Sequence, residues 1–252
     1  MASLGLYTPA LQRRAREIAD RVGGDLYYFT LLSNLTTLCD HCQFAVAEGG
    51  ALAARYVDLP FTAVSFYGQG SGLRRVLCAL VGKEHEAYTL VGEAQLALLE
   101  PVVRVLEIEP EWQMVFDGDL DQLAPGSARR LVSGDGPAMS ALAELCGMFA
   151  FAPNALDKGP CFGGYAGPEL VAMAGTHLSV MDMTEVGNVA THPEYRRQGW
   201  ARQALSALVQ HLCHAGQTVF LQVFETNGAA IALYEKLGFV RRCRMYLVRF
   251  EL

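Results

Sequence analysis

Between Cys161 and Phe250 strand-like runs and helices follow one another in an order that only a mixed helix-and-sheet fold accommodates. Strand patterns cover Cys161–Tyr165, Glu169–Val180 and Glu185–Thr191, and a helix then runs from Gly199 to about His214. A strand over Thr218–Phe224, a helix over Asn227–Leu237 and a strand over Phe239–Phe250 complete the series. In the Gly199 helix, Ala201, Ala204, Leu205, Leu208, Val209 and Leu212 recur at helical spacing, so this helix buries one face. The expected class is α+β.

The chain before this region carries the same mixture. Thr8-Pro9 opens a helix through Leu11–Ile18, with proline at its first position, and Gly23-Gly24 ends it. A second helical stretch covers Tyr27–Cys39. Strand-like runs follow at Gln43–Ala47, Ala51–Asp58 and Phe61–Tyr67, separated by Gly49-Gly50 and Leu59-Pro60. A helix starts after Gly72, and a strand-like segment spans Glu111–Phe116. Gln122–Ser127 combines turn residues with a dip in hydrophobicity and reads as a linker. This predicts an N-terminal α+β domain over 1–125 and a second domain over 126–252. In the second, Arg129–Val132 reads as a short strand and Asp135 is placed to cap a helix over Pro137–Phe151. Pro153 and Gly159-Pro160 then mark a loop.

Composition narrows the function classes. A chain of 252 residues, 52% hydrophobic and 18% charged, suits a globular protein with a sizeable core. No apolar run reaches the roughly 18–20 residues of a membrane span. Met1-Ala2-Ser3-Leu4 opens into a charged helix pattern and not a signal peptide, so a cytoplasmic, membrane-free protein is expected. The net charge of −6 is uneven: residues 1–125 carry −7 and residues 126–252 carry +1. Neither half has the basic surplus of a nucleic-acid binder. The near-neutral half is the better place for an anionic cofactor. Seven cysteines without framework spacing read as free, buried thiols. Cys39-Asp40-His41-Cys42 lacks a second ligand pair, so no metal is expected.

Chemistry concentrates in Val189-Ala190-Thr191-His192-Pro193-Glu194-Tyr195-Arg196-Arg197-Gln198-Gly199-Trp200-Ala201. This is a strand, a turn at Pro193, and a basic, glycine-containing entry to a helix. The first turn of a helix presents unpaired N–H groups and the positive end of its dipole, which suits phosphate. Gly199 lets a pyrophosphate approach the backbone, and Arg196 and Arg197 place charge beside it. An ordinary strand-to-helix turn with surface arginines would read the same way.

The motif Arg196-x-x-Gly199-x-Ala201 resembles the acyl-CoA loop, (Arg/Gln)-x-x-Gly-x-(Gly/Ala), of the GNAT superfamily of N-acetyltransferases. Leu221 through Phe239 resembles a second signature of that superfamily. It holds a strand, Asn227, a short helix bearing alanines and Tyr234, then Leu237-Gly238-Phe239. The two signatures cover about residues 185–240, in the family's order. Trp200 departs from the smaller residue usual there. The resemblance implies α/β/α layers around a mixed, mostly antiparallel sheet. More weakly, the acidic first half is similar to the degenerate N-terminal GNAT half of glycine N-acyltransferase-like proteins. Gln69-Gly70-Ser71-Gly72 would then be the relic of a phosphate loop.

The resemblance also implies direct transfer of an acetyl group from acetyl-CoA to a primary amine of a small molecule or amino acid, within a ternary complex. Its cofactor-binding residues are Val189, Ala190, Thr191, Arg196, Arg197, Gln198, Gly199, Trp200, Ala201, Arg202, Asn227 and Tyr234. Strand Glu185–Thr191 is expected to splay from Thr218–Phe224, freeing backbone N–H groups near Val189 and Ala190 for the thioester. Tyr234 matches the general acid, and Glu185 is the candidate base, with His177 second. Asn227 contacts the cofactor arm, caps its helix, or does both. Cys161 and Cys243 lack a recognisable His or Asp partner for covalent catalysis. The alternatives are a non-catalytic acyl-CoA-binding module and a protein N-acetyltransferase, and a homodimer is compatible with either.

Overall fold

The computed structural model describes residues 3–5, 9–22, 25–82, 85–148, 150–152 and 154–252. Thr8, Gly23, Gly24 and Pro153, which carry a predicted cap, helix end and loop, lie outside the described residues. In chain order the elements are β1 (Ser3–Gly5), α1 (Pro9–Val22), α2 (Phe29–Leu35), β2 (Cys42–Val46), β3 (Leu52–Tyr56), β4 (Ala63–Tyr67), α3 (Gly70–Val81), β5 (Ala87–Val91), α4 (Glu93–Leu99) and β6 (Arg104–Phe116). They continue with β7 (Arg129–Arg130), α5 (Gly136–Leu145), β8 (Cys161–Ala166), β9 (Glu169–Val180), β10 (Met183–Thr191), α6 (Trp200–His214), β11 (Thr218–Phe224), α7 (Gly228–Leu237) and β12 (Phe239–Glu251). No described helix is long and apolar enough to cross a membrane.

The chain divides into two compact units, Met1–Glu111 with Arg244–Leu252, and Trp112–Cys243. The divisions fall inside β6 and β12, and the Gln122–Ser127 turn lies within the second unit.

In the first unit β2, β3 and β4 form an antiparallel meander, and β5 pairs parallel to β4 through Ala63 and Tyr88. The closing part of β12 pairs antiparallel with β5 over Tyr246–Phe250. One face of this sheet packs under α3, with Leu73, Val76, Leu77, Val64 and Phe66 in the core. The other carries α1 and α2, through Ile18, Leu31, Leu35, Phe44 and Leu52. The helix expected over Tyr27–Cys39 is only α2, flanked by short 3₁₀ turns at Leu26–Tyr28 and Cys39–His41. Thr36 and Thr37 end it, their hydroxyls donating back to the carbonyls of Leu32 (2.7 Å) and Ser33 (3.4 Å).

In the second unit β8, β9 and β10 form another antiparallel meander, and β11 pairs parallel to β10. Helix α6 lies on one face, burying Ala204, Leu205, Leu208, Val209 and Leu212 against Ala174, Val186, Val219, Leu221 and Val223. Fully burying each large apolar side chain contributes about 1.5–3 kcal/mol, so this face fixes the helix to the sheet. Helix α5 packs on the other face, through Met139, Leu142 and Ala143 with Met173 and Ala190. It is shorter than the predicted Pro137–Phe151. The Asp135 side chain does not cap it but accepts from Arg129 (2.7 and 3.0 Å), Tyr165 Oη (2.7 Å) and the Val132 N–H (2.8 Å).

The two units repeat one order of elements. Three antiparallel strands lead through a helix to a strand parallel to the third, then to a helix and a closing strand: β2-β3-β4-α3-β5-α4-β6, and again β8-β9-β10-α6-β11-α7-β12.

Candidate active site

The second unit builds its site at the end of β10. Pro193 and its neighbours form a 3₁₀ turn, capped by His192, whose Nδ1 accepts from the Glu194 N–H at 3.3 Å. The chain then passes through exposed Arg196, Arg197, Gln198 and Gly199 into α6. Arg197 and Gly199 both take left-handed backbone, with φ of 62° and 88°. That conformation costs a residue with a side chain about 1–2 kcal/mol, and Gly199 nothing. Among the described residues no acceptor takes the backbone N–H of Gln198, Gly199, Trp200, Ala201 or Arg202. A Cβ added to Gly199 would meet nothing within 4 Å. The arrangement is an open, cationic cradle of N–H groups, and it fits a diphosphate. Trp200 turns away from the cradle onto β8, where a Cβ on Gly164 would meet its ring at 2.7 Å.

The strands leading here part as expected. The parallel ladder joins Met183 to Thr218, Thr184 to Val219 and Glu185 to Phe220, and reaches no further. On the other side of β10, Gly187 pairs with Gly175 and Ala190 with Met173, so Asn188 and Val189 oppose Ala174 alone. This is a β-bulge, with Asn188 in left-handed backbone at φ 50°. A bulge takes a peptide group out of the ladder and leaves it to bind something else.

Glu185 sits where the strands part, on the sheet face opposite α6, and is 4% exposed. Its Oε1 accepts from Gln222 Nε2 at 3.2 Å, and His177 Nδ1 stands 3.4 Å from its Oε2. Thus the candidate base and the second-ranked histidine meet, and Gln222 joins them. Tyr234 is buried on α7, its ring 6.0 Å from that of Phe239. Burial pushes its phenol up to about 12, so it holds its proton at neutral pH. Asn227 Oδ1 accepts from the Ala230 N–H at 3.2 Å, making it the cap of α7. Burial pushes the Cys161 thiol up to about 11, which leaves it protonated and a poor nucleophile. Cys243 donates to Gln113 Oε1 at 3.4 Å. Among the described residues no three His, Cys, Asp or Glu side chains are grouped to hold a metal.

Residues 134–239 match the model of the acetyltransferase (GNAT) family. This segment is similar to GNAT acetyltransferase domains. The likeness extends to known proteins. The [ribosomal protein bS18]-alanine N-acetyltransferase of Escherichia coli K12 is 43% identical over 72 residues, covering 28% of this chain and 48% of that protein. The chain therefore spans about half the length of the curated relatives it matches. A GNAT-family protein of Novosphingobium aromaticivorans superposes with a TM-score of 0.70 at 25% identity, covering 87% of this chain and 94% of that one. A GCN5-related N-acetyltransferase of Sphaerobacter thermophilus shares the fold, with a TM-score of 0.66 at 18% identity over 99% and 95% of the two chains. These overlaps span both units, so the fold of both recurs in these proteins.

The candidate site includes one further residue, Gln222. Gln222 is the polar residue inside the apolar run Val219-Phe220-Leu221-Gln222-Val223-Phe224. Strand alternation puts it on the face of Phe220, and hence of Glu185. That signal was available but looked like an ordinary strand glutamine.

Proposed function

We propose that the protein is an N-acyltransferase that moves an acetyl group from acetyl-CoA to a primary amine. The observation that carries this reading is the open N–H cradle at Gln198–Arg202, reached along β10 from the β10–β11 parting, 185 to 220, where the buried carboxylate of Glu185 lies. Arg196, Arg197, Gln198, Gly199, Trp200, Ala201 and Arg202 hold the diphosphate. Val189, Ala190 and Thr191 direct the pantetheine arm and thioester through the bulge, with Asn227 and Tyr234 on the other wall. Glu185 takes a proton from the amine as its nitrogen bonds to the acyl carbon, and the carbon–sulfur bond breaks. Tyr234 donates to the departing sulfur. The burial that raises its phenol also raises the basicity of a thiolate leaving into the same surroundings.

We read the first unit as a degenerate copy, as in glycine N-acyltransferase-like proteins. Leu99 stands seven residues after the α4 cap Gly92, as Tyr234 stands seven after the α7 cap Asn227, so the phenol is missing. The likeness to enzymes named for a ribosomal protein alanine favours a second reading, in which the amine is the N-terminus of a protein. Amine-dependent release of the CoA thiol, across a panel of small amines and N-terminal peptides, tests both.

A further inference from the structure

Two buried oxygen atoms in the site accept no aligned hydrogen bond. Glu185 Oε2 and Gln222 Oε1 are shut off from solvent, and neither accepts a hydrogen bond. The two side chains are joined, since Gln222 Nε2 donates to Glu185 Oε1 at 3.2 Å. His177 Nδ1 lies 3.4 Å from Glu185 Oε2 but out of hydrogen-bond alignment. Both side chains stand where the β10–β11 ladder ends at Glu185 and Phe220.

The pairing dictates which way the amide faces. A carboxylate only accepts, so Gln222 must turn its NH₂ toward Glu185. Its carbonyl oxygen then faces away, as a second acceptor beside Glu185 Oε2. Buried acceptors in native proteins are nearly always satisfied. A joined pair of such acceptors, where the strands part, therefore suits a ligand group that brings at least two donors. A positive charge on that group would also answer Glu185.

We propose that Glu185 and Gln222 form a two-point cradle for the amino group of the acceptor, and that Gln222 selects an amine over an alcohol. This rests on the N-acyltransferase reading of the same site. An amino group places one N–H on Glu185 Oε2 and another on Gln222 Oε1. A hydroxyl has one hydrogen and leaves one acceptor buried and bare, the kind of mismatch by which polar sites reject analogues. A tertiary ammonium has the charge but a single N–H, and fails on the same count. Gln222 is a positioning residue: it fixes the nitrogen and takes no proton.

The test is a binding measurement on the full chain saturated with CoA, where no transfer occurs. Butylamine, N,N-dimethylbutylamine and 1-butanol are titrated separately, and dissociation constants are read from the backbone amide shifts of Leu221 and Val223. Butylamine is expected to bind at least about tenfold tighter than either analogue, the scale of one hydrogen bond to a charged group. Gln222→Leu, and the unbranched Gln222→Met should the first fold poorly, are expected to weaken butylamine about tenfold and close most of its gap to the dimethyl compound. CoA affinity within twofold of the wild type shows that the variant is folded. Equal binding of the three probes, no binding of butylamine, or unchanged butylamine binding in the variants overturns the cradle and leaves the transferase reading standing. Failure of CoA to bind the wild type sinks the transferase reading instead, and the amine titration of the free chain still decides the cradle.

Discussion

Glu185 and Phe220 are the last partners of the parallel ladder between β10 and β11. Beyond them one strand runs on through the bulge at Asn188 and Val189 to the turn that enters α6, and the other runs on to the Asn227 cap of α7. A buried carboxylate, a bulge and a helix N-terminus thereby line up along one strand, in the order in which an amine, a thioester and a diphosphate would need them.

Gly199→Glu should abolish the stabilisation that acetyl-CoA gives. A ligand of the native state adds about 2.7 kcal/mol at a hundredfold excess over its dissociation constant. Nothing lies within 4 Å of a Cβ at Gly199, so the first atom of the new side chain is free of protein contact while its carboxylate brings negative charge to the expected phosphate position. The left-handed φ of 88° costs the variant a further 1–2 kcal/mol, roughly, with or without ligand. Thermal melts with and without acetyl-CoA separate the two effects, and an undiminished ligand shift would remove the phosphate from this loop.

Calorimetry should count one acyl-CoA site per chain. The first unit repeats the order of elements, but Leu99 occupies the station of Tyr234, and Tyr67–Gly72 brings no arginine to the start of α3. Two equivalent sites would mean that Gln69–Gly72 is a working loop.

Asp135→Asn should destabilise the second unit in a pH-dependent way. Hydrogen bonds from Arg129, then from Tyr165 and the Val132 N–H, hold this carboxyl well below the usual carboxylate range. A depressed folded-state value contributes stability above the unfolded value, near pH 4, which is lost as pH falls through the folded value. Arg129 is half exposed, so screening trims the effect to about 1 kcal/mol, or about 2–4 °C in Tm. The gap between wild type and variant should be full at pH 6 and shrink below pH 4. A gap that does not change with pH would show that the charge is not what matters.

Tyr234→Phe should keep acetyl-CoA affinity and lower kcat by about 10²- to 10⁴-fold, the span for one general acid. Burial pushes the phenol up to about 12, so it stays protonated through pH 10 and should cause no alkaline fall in rate there. Pre-equilibrium binding and kcat against pH check both points. A variant that turns over normally would leave Tyr234 as packing.

Much of this was legible in the sequence because local rules and packing agree there. The expected spans of β9 and β11, Glu169–Val180 and Thr218–Phe224, match those of the structure, since alternation, length and flanking turns all favour strand. The amphipathic face of α6 and the splay after Glu185 follow in the same way. What stayed hidden depends on partners distant in sequence. Asp135 has a helix-cap position, but Arg129 and Tyr165 draw its carboxylate elsewhere. Ala87–Val91 and Glu93–Leu99 are too short for periodicity to separate strand from helix, and only the sheet that receives β5 defines them. Gln222 gains meaning only once Glu185 lies beside it.

The most direct test is release of free CoA thiol from acetyl-CoA by the full chain, with and without amines and N-terminal peptides, in wild type and Tyr234→Phe. Acyl transfer through this site predicts thiol release that requires an amine, matches amide product mole for mole, and collapses in the variant. Tight acetyl-CoA binding with no amine-dependent release from any acceptor would contradict it, and would leave the domain as a binding module.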